Sequence, residues 1–308
     1  MRPGHRNDSA EDITAPGRLV RSRRPCRRTL AAAVVAAGLL APWAVSDALA
    51  QAPAPAPAPT GEAQTPVEQP KPYEPQSGQA GKDVVWVPTP DALVEAMLDI
   101  ANVTATDYVI DLGSGDGRTV IAAAKRGATA HGIEYNPDMV ALAQRNADTA
   151  GVTARATFEK ADLFESDFSK ATVITMFLLP SINLELRPTL LDLEPGTRLV
   201  SNTFTMEDWE PDDRRRVEED CTSWCTALLW IVPAKVEGAW QVGDDTLTLT
   251  QTFQMVSGTL GATPIADGRL RGREISFRVG ETTYTGRVVG DEMEGTAGTR
   301  VWRATRAR

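Results

Sequence analysis

The apolar run Tyr108-Val-Ile-Asp-Leu112 ends in Gly113-Ser-Gly115-Asp-Gly117, and the helical spacing of Arg118–Arg126 follows at once. A buried strand that turns this sharply into a helix opens a βαβ unit. Glycines in the turn permit the tight bend and let a ligand approach the backbone with no Cβ in the way. The chain around this unit repeats the alternation. Asp91–Ala101 carries Leu93, Val94, Met97, Leu98 and Ala101 at helical intervals. Thr129–Glu134, Ala154–Lys160, Thr172–Phe177 and Arg198–Ser201 read as strands. Ile182–Leu191 reads as a helix, as does Pro137–Ala150, with Pro in its first turn and Gly151 after its end. Strands separated by helices predict an α/β fold with a doubly wound parallel sheet, whose ligand lies beyond the carboxyl ends of the strands.

Three acids stand at those ends. Asp111 closes the first strand just before the glycine loop, where it would repel a pyrophosphate but suit a ligand bearing an ammonium and a sulfonium. Arg118 also occupies the place of the third glycine in a G-x-G-x-x-G dinucleotide fingerprint counted from Gly113. Glu134 ends the second strand and can accept hydrogen bonds from two ribose hydroxyls, which its charge strengthens. Asp162-Leu163 follows the third, where a carboxylate can take the exocyclic amine of adenine. Singly, each acid reads as a solvated loop-end charge; the set of three reads as a ligand site.

These residues resemble the class I S-adenosylmethionine (SAM) methyltransferases, and within them the small lysine methyltransferases that include the mitochondrial ATP-synthase c-subunit enzyme, distantly akin to the class I histone lysine methyltransferases. The likeness is carried by Val87-Pro-Thr-Pro90, Asp111-Leu-Gly-Ser-Gly-Asp-Gly-Arg118, Gly132-Ile-Glu-Tyr-Asn-Pro137, Asp162-Leu163 and Phe177-Leu-Leu-Pro180, over roughly 83–211. It implies a Rossmann-like methyltransferase sheet with SAM as cofactor. Gly113, Ser114 and Gly115 would wrap the cofactor's amino-acid end, with Asp111 beneath and Asp116 beside it. Thr89 would close over the carboxylate, Glu134 would hold the ribose with Asn136 next to it, and Asp162 and Leu163 would hold the adenine. Phe177, Leu178, Leu179 and Pro180 would line the methyl-transfer mouth. Where class I relatives often carry an Asn or Asp for a substrate amine, this segment is apolar.

The resemblance implies a protein acceptor, with lysine as the expected residue. Lysine must arrive neutral from a pKa near ~10.4, and a dry apolar mouth lowers that value by desolvation. No general base and no metal ligand is assigned. The alternative is a non-catalytic binding module that keeps the fold as a scaffold or for an adenosine-like ligand.

The formal charge is −9, unevenly spread. Residues 1–50 hold eight Arg against four acids, leaving 24 basic and 37 acidic residues beyond them. A body this acidic argues against a nucleic-acid partner. Residues 1–50 read as an export signal: Arg18, Arg21, Arg23, Arg24, Arg27 and Arg28 precede the apolar run Thr29–Leu40, and Ala48 and Ala50 offer a cleavage site before Gln51. Arg23-Arg24 resembles a twin-arginine signal, though Pro25-Cys26 stands where a large apolar residue is usual, so the ordinary secretory route stays open. A periplasmic location is expected, with membrane attachment only if the signal is uncleaved; a misread signal would leave the protein cytoplasmic. Residues 51–81, with Ala-Pro repeated four times, read as a spacer, 82–235 as the methyltransferase domain, and 236–308 as an accessory domain.

Cys221 and Cys225, four apart, suit a bridge closing a small turn, buried free thiols or, less well, a redox centre. Arg214-Arg-Arg216, flanked by acids, reads as a solvated helix face. After Pro233 the period changes to two, and about six short strands suggest a small antiparallel meander or partial barrel. It reads as a module packed on the first domain or a partner, in preference to a ligand cup. Nothing in the sequence speaks to oligomeric state.

Overall fold

The computed structural model describes residues 73–307, so the expected export signal and most of the expected spacer lie outside the described residues. Seven strands form one sheet: β1 (Tyr108–Leu112), β2 (Thr129–Glu134), β3 (Ala156–Lys160), β4 (Val173–Met176), β5 (Arg198–Asn202), β6 (Asp213–Arg216) and β7 (Thr226–Ile231). Their order is β3-β2-β1-β4-β5-β7-β6. The first five run parallel, and β7 lies antiparallel between β5 and β6.

Side chains alternate across each strand and sort the core into two layers. Val109, Val173 and Val200 face α1 (Asp91–Ile100) and α2 (Arg118–Lys125). Ile110, Leu112, Ile174 and Leu199 face α4 (Pro180–Leu191) on the opposite side. Helix α3 (Pro137–Thr149) starts on Asn136, whose side chain accepts the Asp138 N–H, and carries Pro at its first position. The sheet register places Asp111 of β1 between Gly132 of β2 and Thr175 of β4.

Beyond Val232 the chain closes an eight-stranded antiparallel barrel: β8 (Gly238–Val242), β9 (Asp245–Thr252), β10 (Met255–Leu260), β11 (Thr263–Arg271), β12 (Glu274–Val279), β13 (Thr282–Val289), β14 (Glu292–Ala297) and β15 (Arg300–Arg306). Strand β15 returns to pair with β8 through Thr305↔Gln241 and Arg306↔Trp240. The expected six strands of an open or partial barrel are thus eight in a closed one, which leaves no unpaired edge. Its interior is filled by Trp240, Leu247, Leu249, Leu270, Ile275, Phe277, Met293 and Trp302. Gly286 makes room for Trp302, since a Cβ there would lie 2.7 Å from the indole, whose N–H donates to the Thr285 carbonyl at 3.0 Å.

The barrel docks on the sheet through the β9–β10 turn. Phe253 stacks on Trp209, ring centroids 5.7 Å apart, and Gln254 donates to the Glu210 carbonyl at 2.7 Å. Arg269 pairs with Asp212 at 2.7 Å. Gly272 packs so closely on Gly196 that a Cβ at 272 would lie 2.9 Å from the Gly196 Cα.

Two further sequence expectations need correction. Arg214-Arg-Arg216 is not a helix face but the exposed edge strand β6, which pairs only with β7. Every residue of it is polar, so no period marked it, and charge on an edge strand discourages pairing with another chain. The spacer also ends before Gly81. Residues 76–86 form a folded strap, in which Gly78 N–H donates to the Trp86 carbonyl at 2.7 Å and Trp86 N–H to the Gln79 carbonyl at 2.9 Å.

Candidate active site

The carboxyl ends of β1, β2 and β4 and the strap enclose a cavity of about 510 Å³. The glycine loop forms its floor. Gly113 and Gly115 adopt φ of +74° and +53°, the left-handed region that costs a side chain strain. A Cβ on Gly115 would also lie 2.6 Å from the Trp86 indole nitrogen, so the strap rests directly on the loop. The Ser114 hydroxyl is buried and has no partner among the described residues.

Glu134 fixes this loop to β2. One of its carboxylate oxygens accepts the Gly115 N–H at 2.9 Å and the other accepts the Asn136 N–H at 2.9 Å. A carboxylate offers about four acceptor directions, so two remain for hydroxyls of a ligand. Asp116 grips Arg118 with both oxygens, at 3.0 and 2.6 Å, and Arg118 donates onward to the Thr89 carbonyl at 2.9 Å. Thr89 itself is buried and accepts the Asn202 amide at 3.4 Å. These bonds tie the segment that follows the strap to the glycine loop and to β5.

Asp111 is 6% exposed and accepts the Thr175 hydroxyl at 2.6 Å. Burial, followed by the nearby Asp116 and Glu134 charges, pushes its carboxyl up to about 7 against the help of the Thr175 bond. Since this value exceeds the unfolded one, the group favours the fold most below pH ~4, and that support is lost as pH rises towards 7. A cation bound beside it reverses the balance and favours the carboxylate.

Asp162 lies where the adenine acid was expected, and Lys82 of the strap donates to it at 2.5 Å. That hydrogen bond raises the lysine and lowers the acid. The Lys82 ammonium lies 5.1 Å from the Tyr135 ring centre and 5.9 Å from that of Phe164. Leu163 lines the same end of the cavity.

The far wall is apolar. Leu178 is buried, Leu179 is exposed, and Pro180 takes the first position of α4. Phe177 stacks on Phe204 at 5.7 Å and meets Trp224 at 5.9 Å. Cys221 and Cys225 are bridged, and Trp224 lies in the loop the bridge closes. Every cofactor and mouth residue expected from the sequence lines this one cavity or borders it; the bridge stands at its rim. The sequence reading missed Trp86, Lys82, Phe204 and Trp224. Only Trp224 left a trace, as an aromatic residue between paired cysteines.

A sheet in this order, with a glycine loop after β1 and carboxylates at the ends of β1 and β2 and just after β3, defines a class I SAM-dependent methyltransferase. The donor set fits SAM: acids for its cations and ribose, positive-φ glycines for its amino-acid end, and a buried unpartnered serine hydroxyl. The family model of the ANTKMT methyltransferase domain matches residues 111–213. A protein-lysine N-methyltransferase of Saccharolobus islandicus (strain REY15A) is 46% identical over 44% of this chain and 86% of its own length. The chain belongs to this family of methyltransferases, with SAM as its cofactor. The human lysine N-methyltransferase of the ATP-synthase c-subunit is 40% identical over 34% of this chain, which spans only 45% of that relative's length. A solved RNA methyltransferase from Salinibacter ruber, in complex with S-adenosyl-L-homocysteine, is 47% identical over 49% of this chain and 96% of its own, with a TM-score of 0.46.

Proposed function

We propose that the protein transfers a methyl group from SAM to a lysine side chain of a protein acceptor, and that it does so after export. The apolar mouth formed by Phe177, Leu178, Leu179 and Phe204 carries the acceptor reading, because an amine entering it leaves its charge behind more readily than in water. The protein-lysine methyltransferase relatives support it. The acidic balance of the chain beyond residue 50 opposes an RNA acceptor. Export is supported by the basic, apolar and small-residue sequence of 18–50 and by the Cys221–Cys225 bridge, which an oxidising compartment preserves.

SAM, when bound, supplies a methyl group already activated on a positive sulfur. The chain's own task is therefore to position the reactants and exclude water, an effect worth up to ~7–11 kcal/mol. Asp111 and Glu134 hold the cofactor end through charge and hydrogen bonds. The mouth residues keep the acceptor nitrogen in a dry, aligned approach. Among the described residues, Phe177, Leu178, Leu179 and Phe204 of the mouth carry no side-chain group that could take the acceptor's proton.

Calorimetric titration of the full chain with SAM and with S-adenosyl-L-homocysteine should show micromolar binding of both. Incubation with methyl-labelled SAM and envelope extract should then place label in methyl-lysine after acid hydrolysis. Label in RNA alone would overturn the acceptor assignment. No binding of either compound by folded protein would leave a scaffold.

The titration of Asp111 gives a further expectation. SAM binding keeps this carboxylate ionised and so releases a proton below pH 7. Affinity should rise roughly fivefold from pH 6 to 7.5 and fall above about pH 8, where the cofactor's own ammonium loses its proton. Calorimetry in buffers of different ionisation enthalpy measures the released proton directly. Asp111→Asn should bind more weakly and lose the rise, and a variant that keeps it would place the titration elsewhere.

A further inference from the structure

We propose that Trp224, clasped by the Cys221–Cys225 bridge, is a specificity-determining residue that selects an alkylammonium side chain at the acceptor end of the site. This rests on the acceptor reading above and adds to it the chemistry that is recognised. Trp224 lines the cavity, yet it remains 43% exposed and sits at φ +54°, a conformation a bulky residue adopts only when its surroundings impose it. Asp220, at the start of the same loop, also has positive φ at +56°. The bridge closes the loop between them, and the Val217 N–H donates to the Cys225 carbonyl at 2.9 Å.

The partner rings are held just as firmly. The Phe204 carbonyl accepts the Ser201 hydroxyl at 2.7 Å and the Asn183 amide at 3.3 Å. The Thr203 N–H donates to the Thr226 carbonyl at 2.7 Å, joining the Phe204 segment to the strand that follows Trp224. Three aromatic rings thus line one wall, Phe204 stacked on Phe177 and Trp224 inclined to Phe177 by 59°. Trp224 packs against Phe177 and leaves 43% of its surface open. Facing a methyl-transfer mouth, it offers ring faces to a cation, and a tryptophan face is the best of these. Such a wall meets the side chain as it arrives, before its proton is lost to solvent for transfer, and favours a lysine that already carries methyl groups, because hydration of its charge weakens with each methyl added.

The test uses two probes on the full chain with S-adenosyl-L-homocysteine present. One is Nα-acetyl-Nε,Nε,Nε-trimethyl-lysine methylamide, and the other is its neutral isostere with carbon replacing the ammonium nitrogen. Oxidised protein should bind the cationic probe about tenfold more tightly, the scale of a partly desolvated cation–π contact. Trp224→Ala should abolish that preference, Trp224→Phe should keep part of it, and both should bind S-adenosyl-L-homocysteine within about twofold of the parent. Dithiothreitol gives two electrons and two protons to the bridge, leaving two thiols and its own cyclic disulfide. The reduced protein should lose most of the preference, as should Cys221→Ser. Equal affinity for the two probes, or a preference that survives Trp224→Ala, overturns the proposal. A reduced protein with full preference removes the clasp from it. Failure to bind S-adenosyl-L-homocysteine at all would count against the methyltransferase reading instead.

Discussion

Trp209→Ala is expected to destabilise the protein by about 3–5 kcal/mol, the cost of emptying a large aromatic site. Trp209 is fully buried, meets Trp230 at 6.3 Å and is stacked on Phe253 of the barrel's β9–β10 turn. Its loss opens a cavity where the two parts of the molecule share a core. Trp209→Phe should cost well under half as much. It keeps the ring contact and removes an indole N–H that is buried without a partner among the described residues. Urea denaturation followed by far-ultraviolet circular dichroism measures both variants. The parent should unfold in one transition and Trp209→Ala in two, because the barrel core around Phe277 and Trp302 does not depend on this contact. A single transition in the alanine variant would mean that the polar contacts at Gln254 and Arg269 suffice to couple the parts.

The second large effect falls on the cofactor. Glu134→Ala should weaken SAM binding by about 1.5–3 kcal/mol, roughly ten- to 150-fold, the scale of hydrogen bonds to a charged group. The loss would have two sources: the ribose contacts expected of Glu134 and the two bonds that keep Gly115 and Asn136 in place. Glu134→Gln is not a rescue. An amide has one oxygen for two backbone N–H donors, so its NH2 would face one of them. Affinity for S-adenosyl-L-homocysteine should fall in parallel, since neither source involves the sulfonium. Unchanged affinity in Glu134→Ala would mean that the ribose lies elsewhere.

The sheet was legible because burial writes its period into the chain. Strands β1 and β2 begin and end at Tyr108–Leu112 and Thr129–Glu134, as their apolar runs and flanking turns indicate. Strand β6 was not legible, having four polar residues and no buried face. Barrel closure depends on β8 meeting β15 across the whole domain, and no local pattern encodes that pairing. At the site, the carboxylates could be found because strand ends are positions of known geometry. The strap could not: its first half, residues 76–81, is Gln, Ser, Gly and Ala with no apolar period, and its order comes from contacts with Gly115 and Asp162, far along the chain. Phe204 likewise carries no signal, because its place depends on Asn183 and Ser201 side chains reaching its carbonyl.

The same strap bears on time as well as affinity. Trp86 rests on the glycine loop and Lys82 donates to Asp162, so a ligand seated between them would leave more freely when this segment lifts. Dissociation is then gated by a local opening whose rate is independent of how well the ligand is held. If the enzyme works after export, as proposed above, away from the compartment that makes its cofactor, a long residence time would matter more than a low dissociation constant. The number of turnovers completed outside would then be set by how many cofactor-loaded molecules arrive, each carrying one methyl group.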